Sequence, residues 1–130
     1  MIYHTFPETT LRNFSQSIFM KMGCSAEHAE LATDVLIKAD LRGIDSHGLA
    51  RLSGYVRLWE KERINATPDI KIVHETPTTA TIDGDSGLGL VVAPFAMQVA
   101  IQKAQTYGSG WVSVRNSNHF GIAGYHALMA

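Results

Sequence analysis

Thr79-Ala80-Thr81-Ile82-Asp83-Gly84-Asp85-Ser86-Gly87-Leu88-Gly89-Leu90 is where the chain changes its period. Thr79 to Asp83 alternates polar and apolar residues, the pattern of a β-strand. Asp83 to Gly87 reads as a tight loop. From about Leu90 to Tyr107 the apolar residues fall at helical spacing, with Pro94 tolerated in the first turn and Gly108 as the stop. The glycines of this turn invite a dinucleotide-binding reading, because they let the backbone approach a pyrophosphate. That reading fails here. Val92 stands where the third glycine belongs, and no acidic residue follows a second strand at the required distance. Gly87-Leu88-Gly89 is therefore taken as a strand-to-helix turn. Asp83-Gly84-Asp85 hints at a calcium loop, but Pro94 occupies the place of the bidentate glutamate.

On either side of this stretch the chain reads as two units. Upstream, Ile70-Lys71-Ile72-Val73-His74 is a strand, joined to the next by a Thr76-Pro77 turn. Downstream, Ala93, Met97, Ala100, Ile101 and Ala104 give the long helix its buried face. Trp111 to Arg115 is a short, buried strand. A loop from Asn116 to Gly121 leads into a last helix. Before position 67 the period is helical throughout. One helix spans Pro7 to Met22 on Leu11, Phe14, Ile18 and Met22, ended by Gly23. A second starts at the cap Ser25, buries Ala29, Ala32, Leu36 and Ala39, and ends at Gly43. A third runs from His47 to about Arg63, capped by Asp45 or Ser46, on Leu49, Leu52, Val56 and Trp59. The fold class is α/β (α+β): a helical unit over 1–67, then the beginning of an α/β unit over 68–130. The last residues, Tyr125-His126-Ala127-Leu128-Met129-Ala130, carry no C-cap glycine, basic last turn or polar tail, and read as the end of a truncated product or of one piece of a longer enzyme.

Composition narrows the function classes. The 130 residues hold 11 Lys+Arg against 12 Asp+Glu, a net charge of −1. That leaves no basic footprint for nucleic acid. No apolar run is long enough to span a membrane as a helix. Met-Ile-Tyr-His-Thr-Phe-Pro-Glu does not look like a secretory leader. Cys24 is the one cysteine. It has no basic neighbour to activate it, and reads as a reduced cytoplasmic thiol near a helix cap. The six histidines include no HExxH pattern and no close pair with a third ligand, so no metal site is expected.

Two loops carry the candidate chemistry. In Arg42-Gly43-Ile44-Asp45-Ser46-His47-Gly48-Leu49-Ala50-Arg51-Leu52, a helix stops and another starts. His47, Arg51 and Tyr55 follow at i, i+4 and i+8, a polar stripe roughly 110° from the apolar one, where a cleft wall would lie. The Arg51 fork matches a carboxylate, and Ser46 and His47 at a helix N-terminus would favour an anion. The competing reading is a capped helix with a solvated polar face. Asp45-Ser46-His47 is not a hydrolase triad, since consecutive residues seldom reach that geometry. The second loop, Asn116-Ser117-Asn118-His119-Phe120-Gly121, places a histidine at a strand end, where it can serve as acid or base. Asn116 and Asn118 either orient it or serve the turn.

Together the blocks resemble the type-2 malate/L-lactate dehydrogenase family, which includes sulfolactate, ureidoglycolate and diketogulonate oxidoreductases. The resemblance rests on Asp40 to Leu52 with Tyr55, on Asp83-Gly84-Asp85 with Gly87-Leu88-Gly89, and on Arg115 to Tyr125. It implies a non-Rossmann, NAD- or NADP-dependent oxidoreductase acting on small 2-hydroxy and 2-oxo acids, cytoplasmic and homodimeric. By motif, His119 matches the catalytic acid/base, and His47, also catalytic, would polarise the C2 oxygen together with Ser46. Ser46, Arg51 and Tyr55 match the substrate site, and Asn118, His119 and Gly121 the cofactor site. Family members are much longer. The alternative implied is a non-catalytic fragment that oligomerises or meets a complementary C-terminal piece, with apolar surface left open.

Overall fold

The computed structural model describes residues 4–130. Met1, Ile2 and Tyr3, the start of the stretch compared above with a leader, lie outside the described residues. The chain forms α1 (Glu8–Lys21), α2 (Ala26–Asp40), two 3₁₀ turns (Asp45–His47 and Leu49–Arg51), α3 (Leu52–Glu60), β1 (Lys71–Glu75), β2 (Thr79–Gly87), α4 (Gly89–Tyr107), β3 (Trp111–Ser117) and α5 (Ala123–Met129). The mixed α/β class is as expected.

α1 and α2 form an antiparallel-type hairpin closed by Gly23, whose φ of 101° suits a helix stop. Ser25 caps α2 by accepting the His28 N–H at 3.1 Å, an interaction worth about 1 kcal/mol. Ala29, Ala32, Leu36 and Ala39 are all fully buried, so these small side chains let neighbouring helices approach closely. The buried face of α1 differs from expectation. Phe14 is 54% exposed, while Ser15 and Phe19 are completely buried. Ser15 is admitted to the core because its hydroxyl donates to the Leu11 carbonyl at 2.8 Å. Cys24 is buried, and burial pushes its thiol up to about 11. At neutral pH it is therefore a packed thiol rather than a nucleophile.

β2 is the centre of a three-stranded sheet ordered β1-β2-β3. β1 pairs with it antiparallel and β3 parallel, with Ile82 opposite Val114 and Gly87 opposite Ser117. The parallel pair requires a crossover, which α4 supplies. Three expectations change here. β2 runs on to Gly87, so Asp83 to Gly87 is an irregular strand end, with φ of 49° at Asp85 and 56° at Ser86. The face of α4 against the sheet is Val92, Ala96 and Val99, while Ala93, Met97, Ala100, Ile101 and Ala104 are half-buried. β3 is an exposed edge rather than a buried strand, with Trp111 72% accessible. An edge strand is covered on one side only, here by α4, so its hydrophobic run does not make it internal.

Leu88, Leu90 and Val91 at the start of α4 pack into the cluster formed by Phe19, Val35, Leu36, Leu52 and Tyr55. One apolar cluster thus crosses position 67 and holds the β2–α4 corner against the helices.

Candidate active site

The two candidate loops meet. His119, beyond β3, lies against Tyr55 of α3, with the Tyr55 hydroxyl 2.8 Å from His119 Nδ1. The His47 ring stacks beside it at a centroid distance of 5.6 Å and an interplanar angle of 27°. The Gly121 N–H donates to the same Nδ1 at 3.2 Å. A backbone N–H can only donate, so it favours a neutral ring with its hydrogen on Nε2. Tyr55 can donate to Nδ1 or accept from it, and so supports either tautomer. Burial, reinforced by the positive neighbours His47 and Arg51, holds the His119 imidazole below the usual histidine value.

The helix expected from His47 does not form as such. Asp45–His47 and Leu49–Arg51 are separate 3₁₀ turns, and α3 begins at Leu52. The break is Gly48, at φ −89° and ψ −140°. A Cβ there would run into the Asp40 carboxylate. Asp40 instead accepts the Leu49 N–H at 2.8 Å, and burial raises its pKa. His47, Arg51 and Tyr55 therefore do not share one helical stripe. Tyr55 belongs to the core face, 3% exposed, and its phenol is pushed up to about 12 by burial. Nor do Ser46 and His47 stand at an α-helix N-terminus.

What aligns these residues is a short chain of hydrogen bonds. Ser46 Oγ lies 2.9 Å from His47 Nδ1. Arg51 Nε donates to the Ser46 carbonyl at 2.7 Å. With Nε anchored, the outer guanidinium nitrogens form no ion pair among the described residues. Such a preset fork suits a carboxylate.

Asn118 donates from Nδ2 to the Ser86 and Gly87 carbonyls at 2.8 and 3.0 Å. It ties the His119 loop to the end of β2. Asn116 donates to Asp83 at 3.0 Å and accepts from Ser86 at 2.8 Å. Asp83 also takes Arg115 at 2.9 Å, and Asp85 takes Asn65 and the Asp69 N–H. The backbone N–H of Asp85, with Asn116 and Arg115, holds the Asp83 carboxyl below its ordinary value. These acids brace the corner, and no group of three or more His, Cys, Asp or Glu placed for a metal occurs among the described residues. No described helix is long and apolar enough to cross a membrane.

A cleft of about 520 Å³ opens beside His119, lined by Arg51, Gly54, Tyr55, Arg57, Leu58, Lys61 and Arg63. This lies within the range of small-molecule sites. Arg57, Leu58, Lys61 and Arg63 were not singled out from the sequence. Their signal was there, since Gly54, Arg57, Leu58 and Lys61 recur at the spacing of one helix face.

A sequence profile of the malate/L-lactate dehydrogenase family matches residues 6–130. A malate dehydrogenase of Pyrococcus abyssi is 50% identical over 128 residues, covering 98% of this chain and 35% of the relative. An L-sulfolactate dehydrogenase of Methanocaldococcus jannaschii is 50% identical over 113 residues, covering 87% of this chain and 33% of the relative. The solved malate dehydrogenase of Pyrococcus horikoshii superposes with a TM-score of 0.95 at 46% identity, covering 98% of this chain and 37% of that one. The chain spans about a third of the length of the relatives it matches. Profile, relatives and fold agree, and the chain belongs to the malate/L-lactate dehydrogenase family of oxidoreductases.

Proposed function

We propose that this segment supplies the acid/base and the substrate grip for hydride transfer between a nicotinamide cofactor, NAD or NADP, and a small 2-hydroxy or 2-oxo acid. The observation that carries the reading is the Tyr55–His119 contact, with His47 stacked on the ring and Arg51 preset beside it. The family implies the cofactor. The cleft beside His119 lies in the size range of small-molecule sites, and its cationic lining suits an anionic ligand. His119, with the loop set by Asn118 and Gly121, would face the nicotinamide. The nicotinamide supplies the hydride chemistry when bound.

The residues of this chain do the rest. Arg51 clamps the substrate carboxylate. Nε2 of His119 hydrogen-bonds the C2 oxygen. In reduction of the oxo acid, the imidazolium gives its Nε2 proton to that oxygen and keeps Nδ1–H, which donates to the Tyr55 oxygen while the Gly121 N–H contact is released. In oxidation of the hydroxy acid, the ring reacts as the other tautomer, with Nδ1–H held by the Tyr55 oxygen in place of the Gly121 contact, and Nε2 takes the hydroxyl proton. A depressed imidazolium pKa makes the proton easier to give. Ser46 keeps His47 in place beside the ring. The assembly is a cytoplasmic homodimer in this reading.

Arg51→Lys, made in a full-length malate dehydrogenase carrying this segment, tests the clamp. Lysine keeps the charge and loses both the fork and the tie to Ser46. KM for the acid is expected to rise roughly tenfold, about 1.4 kcal/mol, with a smaller change in kcat. An unchanged KM in steady-state kinetics would remove Arg51 from the substrate site.

A second reading has its own support. The exposed edge of β3, with Trp111, Val114 and Phe120 accessible, is a surface on which a complementary C-terminal segment or a second copy would pack. In that reading the segment is inactive by itself and functions as an interaction module. Turnover of malate by the purified chain with either cofactor would exclude this second reading.

A further inference from the structure

His126 lies on α5, does not line the cleft beside His119, and is only 7% exposed. Its Nε2 stands 2.9 Å from the Phe120 carbonyl oxygen. A carbonyl only accepts, so Nε2 carries the hydrogen and donates. Nδ1 is then a bare acceptor, buried and without a partner among the described residues. Burying such a group unpaired is costly. A phenylalanine would fill the same space without the orphaned nitrogen. What the imidazole adds is one N–H, and that N–H goes to Phe120.

The Phe120 C=O and the Gly121 N–H belong to one planar peptide unit. Its oxygen accepts from His126, and its N–H donates to His119 Nδ1 at 3.2 Å. The two imidazoles are thus joined through a single peptide. A carbonyl that accepts a hydrogen bond polarises its amide and makes the N–H a better donor. The unit is held from both sides. Gly121 has a φ of 78°, and a Cβ there would meet Val35 and Leu90. Tyr125, the neighbour of His126, donates its hydroxyl to Asp34 at 2.9 Å, and Arg12 donates to the other Asp34 oxygen at 2.9 Å. α5 is therefore tied to α2 and α1, and presents His126 to the loop as a fixed donor.

We infer that His126 is a positioning residue for this site: through the Phe120–Gly121 peptide it aims the Gly121 N–H at Nδ1 and so sets the resting tautomer of His119, with the hydrogen on Nε2. The other groups facing the ring do not choose between tautomers. The Tyr55 hydroxyl donates or accepts, and His47 and Arg51 oppose a proton on either nitrogen. Arg57, Lys61 and Arg63 share the cleft and act in the same sense as Arg51. Holding Nδ1 as an acceptor also favours the neutral ring. The contact must be released before Nε2 can act as a base, so its strength governs how readily the ring changes form. That consequence rests on the acid/base reading of His119 and adds to it the residue that holds the ring.

The test compares His126→Phe, His126→Leu and His126→Gln in the purified chain, reading the His119 ring nitrogens by proton–nitrogen NMR through a pH titration. Phe and the smaller Leu both remove the donor. Gln returns an amide N–H close to the place of Nε2. In the parent, neutral His119 should carry its hydrogen on Nε2. In both donor-free variants it is expected to shift towards the Nδ1–H form held by Tyr55. Its titration midpoint should rise by up to about one pH unit, the worth of one ordinary hydrogen bond. His126→Gln should stay close to the parent in both respects. A parent ring already in the Nδ1–H form overturns the inference, as does an unmoved His119 in the donor-free variants. An equal change in all three variants marks His126 as packing alone and also overturns it. The readout needs no turnover, so it stands or falls apart from the acid/base reading, which His119→Ala tests.

Discussion

His119→Ala, introduced into a full-length malate dehydrogenase carrying this segment, is expected to lower kcat by roughly 10²- to 10⁴-fold, the usual worth of a positioned acid/base. Cofactor affinity should change far less. The expectation follows from the surroundings of the ring. Tyr55 and Gly121 fix Nδ1, leaving Nε2 as the nitrogen without a hydrogen-bond partner among the described residues. Partial desolvation of the ring, reinforced by His47 and Arg51, keeps the imidazolium unfavourable. Alanine removes the proton carrier and leaves its supports without a function. His119 is open to solvent as a residue, with its ring only partly desolvated against Tyr55, and contributes little to the core, so the fold should survive, and cofactor titration of the variant checks this. Turnover close to that of the parent would remove His119 from the chemistry.

Gly89→Ala is expected to damage stability and catalysis together. Gly89 opens α4 directly beneath the His119 loop, and an added Cβ would meet the Asn118 and His119 carbonyls. These are backbone atoms, so no rotamer change relieves the clash. The loop cannot simply lift away either, because Asn118 ties it to Ser86 and Gly87. Forcing atoms into such a site costs about 1–3 kcal/mol, occasionally more. For a domain of this size that is a loss in Tm on the order of 5–10 °C. The relief that remains is to shift His119, which should also reduce kcat. Gly124→Ala is the control. Gly124 lies in α5 with nothing near its would-be Cβ, and alanine there should be neutral or slightly stabilising. Calorimetry on both variants decides. An undisturbed Tm and kcat in Gly89→Ala would mean that this close approach does not position the loop.

The sequence made the order of elements legible because each boundary carries a local signal. Gly23 and Gly108 adopt left-handed φ where the helices stop, and Ser25 caps where α2 starts. Facing was less legible. Ser15 displaced Phe14 from the core because a hydroxyl bonded to its own helix is cheap to bury. Val92, Ala96 and Val99 took the sheet side of α4 because the relation between helix and sheet is set by the β2–α4 corner, which periodicity in α4 alone does not report. The apolar run in β3 suggested a buried strand, but whether a strand is central or at an edge is a property of the whole sheet.

The site was legible as residues and not as geometry. His47, Arg51 and Tyr55 do gather around one ring, but not by sharing a helical face. Gly48 breaks the helix, and the grouping is rebuilt by Asp40 on Leu49 and by Ser46 between His47 and Arg51. Hydrogen bonds between a side chain and a backbone nine residues away leave no periodic trace. The cationic wall of the cleft was hidden for a different reason. Arg57, Lys61 and Arg63 look like an ordinary solvated helix end until His119 is placed opposite them.

The central claim is that His119 is a neutral, cleft-facing acid/base beside an anion grip. NMR titration of its imidazole in the purified chain, with and without a 2-oxo acid such as oxaloacetate, tests this most directly. Alone, His119 should titrate below 6.5, the ordinary value, because burial and its cationic neighbours oppose the proton. With the acid bound its pKa should rise, since a carboxylate on Arg51 screens that charge and the C2 oxygen accepts from Nε2–H. A His119 that titrates at or above the ordinary value and ignores the acid would contradict the account.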